Sequence, residues 1–164
     1  MKYFFLLALF FSCVCEAQKN NSKNDLSDPY EDAMAQMYIV IAGASADFHA
    51  LDNLSKEISK KTGIEYSNDL VYDSRRGMIA PDSSDDEIYA GSYFPRRYDT
   101  SRISIEMMWY YSNGSMLNTD TTKMIIVIGI FDSKKSALLQ LKSVQDAVPT
   151  AYIKKMKMYM GCMH

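Results

Sequence analysis

The chain has 164 residues, 48% of them hydrophobic, and its 18 Lys and Arg stand against 20 Asp and Glu for a formal net charge of −2. With no basic excess, nucleic acid is not an expected partner, because binding to phosphate draws on a clear surplus of cations. The length suits one domain with a buried core.

In chain order, Met1 and Lys2 supply one positive charge, residues 3–11 form an unbroken apolar run, and Ala17 places a small residue before Gln18. This reads as a signal peptide over 1–17, cleaved before Gln18. The run is shorter than the roughly 20 apolar residues that span a bilayer. The expected location is therefore outside the cytoplasm, in the periplasm or cell envelope. Phe10-Phe11-Ser12-Cys13 loosely resembles a bacterial lipobox, which leaves a lipoprotein anchored at Cys13 as the alternative, and contact with a membrane is expected only on that route. Cleavage would remove Lys2, Glu16, Cys13 and Cys15, leaving 17 Lys and Arg against 19 Asp and Glu, with Cys162 alone. No disulfide within the mature chain is then available, and stability must come from the core.

Residues 18–36 are rich in Lys, Asn, Ser and Asp without helical or strand periodicity, and read as a polar tether. A folded domain is expected over 37–160. Its first strand is the β-branched run Met37-Tyr38-Ile39-Val40-Ile41-Ala42-Gly43. Phe48, Leu51, Leu54 and Ile58 then recur at helical spacing from about 47 to 61, with Asp47 as cap and Gly63 as terminator, before a strand near 64–72. The second half repeats this grammar. Met124 to Gly129 is a strand; Ala137, Leu138, Leu141 and Val144 mark a helix capped by Asp132 or Ser133 and stopped by Pro149. A final strand at 152–160 alternates Met156, Met158 and Met160 with Lys155, Lys157 and Tyr159. Aligning Gly43 with Gly129 gives two strand-helix-strand halves. These predict an α+β fold of ferredoxin-like βαβ-βαβ type, an antiparallel sheet with both helices on one face and the other face open. Between the halves lies an insertion at 74–123, with strand material near 87–93 and 103–111 to extend the sheet or cover its open face. Residues 161–164 form a short tail.

The stretch Val127-Ile128-Gly129-Ile130-Phe131-Asp132-Ser133-Lys134-Lys135-Ser136-Ala137-Leu138 has the order strand, Gly, any residue, Phe, polar helix start, inward Ala. It resembles the SPOR (sporulation-related repeat) family. Those small domains carry two repeats on a ferredoxin-like sheet and bind septal peptidoglycan, chiefly glycan strands stripped of stem peptides. The second repeat, about 123–159, carries the resemblance. The first, 38–72, keeps Gly43 but has Ser45 in place of the pattern's Phe and Ile41 where Gln is frequent, and the insertion is far longer than the usual link. The resemblance implies a peptidoglycan-binding module.

Residues for such a site concentrate in the insertion: Tyr89, Tyr93, Phe94, Arg96, Arg97 and Tyr98, followed by Trp109, Tyr110 and Tyr111. Aromatic faces stack on sugar rings and arginine forks to carboxylates; the competing reading packs half of these rings against the sheet. Tyr72 to Arg76 and Tyr93 to Arg97 each place an Arg pair three residues after a tyrosine, as if lining two sides of one anionic cleft. The acidic run Asp82, Asp85, Asp86 and Glu87 lacks the glycine-spaced order of a calcium loop and reads as solvated. Met160, Cys162, Met163 and His164 gather soft ligands suited to copper(I) or zinc, although the methionines more simply fill a core face. No cofactor motif is present. For catalysis there are two histidines, His49 on a helix surface and His164 at the terminus, and a carboxylate pair such as Asp73 with Glu106 whose separation the sequence leaves open. The expectation is a non-catalytic envelope module binding peptidoglycan glycan strands. The alternative is an envelope protein-interaction module, and behind it a small envelope enzyme or a soft-metal-binding protein.

Overall fold

A computed structural model describes residues 33–67, 69–83, 89–97, 102–112 and 120–161. Two apolar runs form the central strands, β1 (Met34–Ser45) and β6 (Met124–Phe131). They pair antiparallel, and their register skips Ala42 and Ile128, the residues that precede the two aligned glycines. The internal repeat thus extends to a matched irregularity in each strand. β1 begins at Met34, so that Met34 to Gln36, read from sequence as the end of the tether, pair with Tyr159 to Lys157 of the edge strand β7 (Tyr152–Tyr159).

Helix α1 (Phe48–Thr62) starts and stops where its caps dictate. The Asp47 carboxylate accepts from the Ala50 N–H at 3.2 Å. Gly63 takes the left-handed φ of 73° and donates its N–H to the Ser59 carbonyl. Helix α2 (Lys134–Val144) is capped by Ser133, whose Oγ accepts from the Ser136 N–H. α2 ends at Val144, ahead of Pro149. Its inward stripe runs through Ala137, Leu141 and Val144. Leu138, expected on that stripe, is instead 48% exposed.

The sheet has the order β2-β5-β6-β1-β7, where β2 is Glu65–Tyr66 and β5 is Arg102–Met107. It is mixed rather than purely antiparallel, because β2 runs parallel to β5 while the other neighbours are antiparallel. The strand expected near 64–72 is divided. Two residues join the sheet as β2, and Val71–Asp73 forms β3 of a separate hairpin with β4 (Gly77–Ile79). The six-residue strand beside β6 comes from the insertion. Chain turns replace strand after Met107, as the Tyr111 N–H returns to the Met108 carbonyl.

Both helices pack on one face, where Val40, Ala42, Ile105, Ile126 and Ile128 meet Leu51, Ile58, Ala137 and Val144. The opposite face, open in the two repeats alone and a place the insertion was expected to cover, is closed: Met37, Ile39, Ile41, Ile125, Val127, Met156 and Met158 are all buried, with Tyr111 of the insertion buried among them. The alternating methionines of β7 fill that face as their spacing requires, and Met160 lies just beyond the strand against the same cluster.

Candidate functional site

The two residues of β2 cover only the start of β5 at Arg102 and Ile103. Beyond β2, β5 is faced by side chains of the segment 89–97. The alternation Arg102-Ile103-Ser104-Ile105-Glu106-Met107 sends Ile103, Ile105 and Met107 into the helix-side core. Ser104 and Glu106 face the other way and are also buried, at 7% and 1% exposure.

Glu106 is held by hydrogen bonds. Tyr93 Oη donates to its Oε2 at 2.8 Å, Ser104 Oγ donates to its Oε1 at 2.7 Å, and the Arg96 N–H approaches Oε2 at 3.5 Å. The Arg96 guanidinium donates to Ser104 Oγ at 3.0 Å and to the Arg102 carbonyl. Tyr111 Oη donates to the Arg96 carbonyl at 2.8 Å, and Tyr93 Oη also accepts the Met107 N–H at 3.2 Å. The segment 93–97 is thus fastened to β5 by polar contacts. Burial pushes the Glu106 carboxyl above its ordinary range, against the opposing pull of Ser104, Tyr93 and Arg96. Burial and the nearby Glu106 also push the Tyr93 and Tyr111 hydroxyls well up, so both serve as neutral donors.

Outside this network lies a cleft of about 390 Å³, within the size range of small-ligand sites. Tyr66, Tyr89 and Phe94 supply aromatic walls; Arg96, Arg97 and Arg102 supply cations, and Asp69, Ser104 and Glu106 supply oxygen atoms. Tyr89 and Phe94 lie 4.3 Å apart between ring centroids, and the Arg97 guanidinium sits 5.7 Å from the Phe94 centroid. Arg97 also donates to the Gly161 carbonyl, and Arg102 pairs with Asp69 at 3.0 Å. Tyr66 donates to Asp52 of α1 at 3.1 Å, which fixes the far wall.

Of the residues expected from sequence, Tyr89, Phe94, Arg96 and Arg97 line this cleft, and Tyr93 stands behind it on Glu106. Trp109 lies elsewhere, lining a hollow of about 310 Å³ with Tyr72, Asp73, Arg75 and Arg76. Tyr110 packs edge-on to Trp109 and Tyr111. Tyr98 lies outside the described residues. The two arginine pairs therefore line separate hollows rather than one. Asp73 and Glu106 are separated in the same way, and Asp73 spends its carboxylate on the Arg75 and Arg76 N–H groups, which hold it below the usual carboxylate range. His49 is exposed on α1, edge-on to the stacked pair Phe48 and Tyr72. Cys162, Met163, His164, Asp85, Asp86 and Glu87 lie outside the described residues. Among the described residues no group of three or more His, Cys, Asp or Glu could hold a metal.

Sequence reasoning did not assign Tyr66, Asp69, Arg102 or Ser104 to a site. The only sequence signal was the polar half of the β5 alternation, which reads more simply as a solvent-facing edge. No family model matches the chain, and no curated protein or solved structure matches it.

Proposed function

We propose that this chain is an exported, non-catalytic envelope module that binds cell-wall glycan in the cleft beside β5. One observation carries the reading: Tyr66, Tyr89 and Phe94 converge with Arg97 and Arg102 on a cavity of about 390 Å³. Ring faces offer dispersion and CH contacts to a pyranose, while the arginines offer charge to carboxylates on the wall polymer. Within this proposal the sheet is ferredoxin-like and SPOR-like, an assignment supported by the order β5-β6-β1-β7 and by both helices lying on one face. Because the opposite sheet face is closed, the ligand is assigned to the edge of the sheet instead.

The test is co-sedimentation of the purified chain with peptidoglycan sacculi, before and after enzymatic removal of stem peptides. Binding is expected in both cases, and Phe94→Ala with Tyr89→Ala should weaken it about fivefold or more. A chain that stays in the supernatant with both preparations would remove the glycan reading. The second reading, an envelope protein-interaction module, draws support from the same closed face. It predicts a folded chain that ignores sacculi and is retained by an envelope protein.

A further inference from the structure

Helix α2 breaks the usual rule for a surface helix. Its outward side carries Leu138 and Leu139, 48% and 64% exposed, between Lys134 and Lys135 on one turn and Lys142 on a later one. These side chains border an open hollow of about 660 Å³. No acidic residue occurs between Asp132 and Asp146, although the chain as a whole is acidic.

The sheet adds to this patch. Ile153 of β7 packs into the helix-side core, while Met156 and Met158 fill the opposite face, so Lys155 shares the helix side with Ile153. It stands exposed in the cross-strand row of Tyr38 and Phe131, and α2 begins three residues after Phe131. Three lysines thus flank two exposed leucines on α2, and Lys155 adds a fourth exposed cation on the helix side of the sheet.

The kind of cation is informative. All five arginines of the chain lie between 75 and 102, away from α2, and every cation of this patch is lysine. Arginine's planar fork suits paired carboxylates at a fixed geometry; lysine is a hydrated point charge on a flexible stem, suited to a diffuse anionic surface. Exposed leucines between such lysines are the side chains that settle at the boundary of headgroups and acyl chains. A second copy of the chain is a poor occupant, since a twofold pairing would bring like-charged lysine groups together.

We propose that α2 is a docking face for an anionic phospholipid surface, independent of acylation at Cys13 and of the glycan cleft. Among the described residues no helix is long and apolar enough to cross a membrane, and adsorption needs none. Lys134, Lys135, Lys142 and Lys155 meet the headgroups, and Leu138 and Leu139 enter the interface. The charged polymer in the cleft and the membrane under α2 would then be engaged by different elements.

The test measures partition of the full chain onto vesicles of phosphatidylcholine alone and of phosphatidylcholine with phosphatidylglycerol, by sedimentation over a lipid titration. The apolar run at 3–11 contributes equally to wild type and variants. Partition onto the anionic vesicles should exceed that onto the neutral ones and fall toward it at high salt. Lys134→Gln with Lys135→Gln and Lys142→Gln should lower the anionic partition about tenfold or more. Leu138→Gln with Leu139→Gln should lower it about threefold or more, with circular dichroism showing both variants folded. Equal partition of wild type onto the two vesicles, or variants that bind like wild type, overturns the proposal. Binding to polyglutamate without binding to anionic vesicles overturns it in favour of an acidic protein.

Discussion

The cleft beside β5 and the outer side of α2 violate the ordinary distribution of residues in opposite senses. At the cleft, a carboxyl and a hydroxyl are buried and fully engaged; on α2, two leucines are left in water. Buried polar groups cost free energy unless paired, and an exposed apolar pair gives up burial that the core could have used. Both departures run against the usual sorting of residues by polarity. They differ in cost, however. The first is tied into the fold through Tyr93, Ser104 and Arg96, whereas the second touches little else.

That asymmetry can be broken by experiment. Glu106→Ala should have the largest effect, destabilising the protein by about 3 kcal/mol in urea unfolding, because it leaves the buried Tyr93 and Ser104 hydroxyls without their acceptor and opens a cavity behind β5. A loss below about 1 kcal/mol would mean the network carries no structural weight. Glu106→Gln isolates the charge. Because burial raises the folded-state pKa of this carboxyl, its contribution is complete below the ordinary glutamate range and is lost as pH rises through the raised value. Wild type should therefore lose stability relative to Glu106→Gln as pH climbs from about 4, and parallel pH profiles would show that the carboxyl is not perturbed. Tyr111→Phe removes one hydrogen bond to the Arg96 carbonyl and should cost about 1 kcal/mol by the same assay. The smallest change is expected from Leu138→Gln with Leu139→Gln, within about 0.5 kcal/mol of wild type in urea. A large destabilisation there would show that these leucines pack rather than wait for a surface.

The same contrast explains what could be read from the sequence. Both helices, their caps at Asp47 and Ser133 and the central strands follow from local chemistry and periodicity, which needs no knowledge of distant neighbours. The alternation in β7 shows the same thing, since its methionines report a buried face directly. Residues whose environment is set by the insertion were not legible. Glu106 and Ser104 sit on the polar side of an alternating strand, and nothing local says that Tyr93, Arg96 and Tyr111 will come to cover that side. Leu138 failed for another reason: Ala137 and Leu138 are adjacent at the edge of the apolar stripe, helical spacing from Leu141 and Val144 admits either one, and it is Ala137 that is buried. Of the cleft, the aromatic and arginine cluster was visible as composition, but its division between two hollows depended on where the β3–β4 hairpin sits.

The methionines have a consequence for chemical ageing. Met37, Met156 and Met158 fill one side of the sheet, while Met78, Met107 and Met124 belong to the other, where the Met107 sulfur accepts the Met78 N–H at 3.3 Å. Burial shields these sulfurs from peroxide while the layers are packed, and a sulfoxide formed on opening would leave a polar oxygen that hinders their closing again. The pace at which buried methionines gain oxygen is then a clock for whole-domain opening, and the partly exposed Met34, Met108 and Met160 should oxidise first without reporting on it.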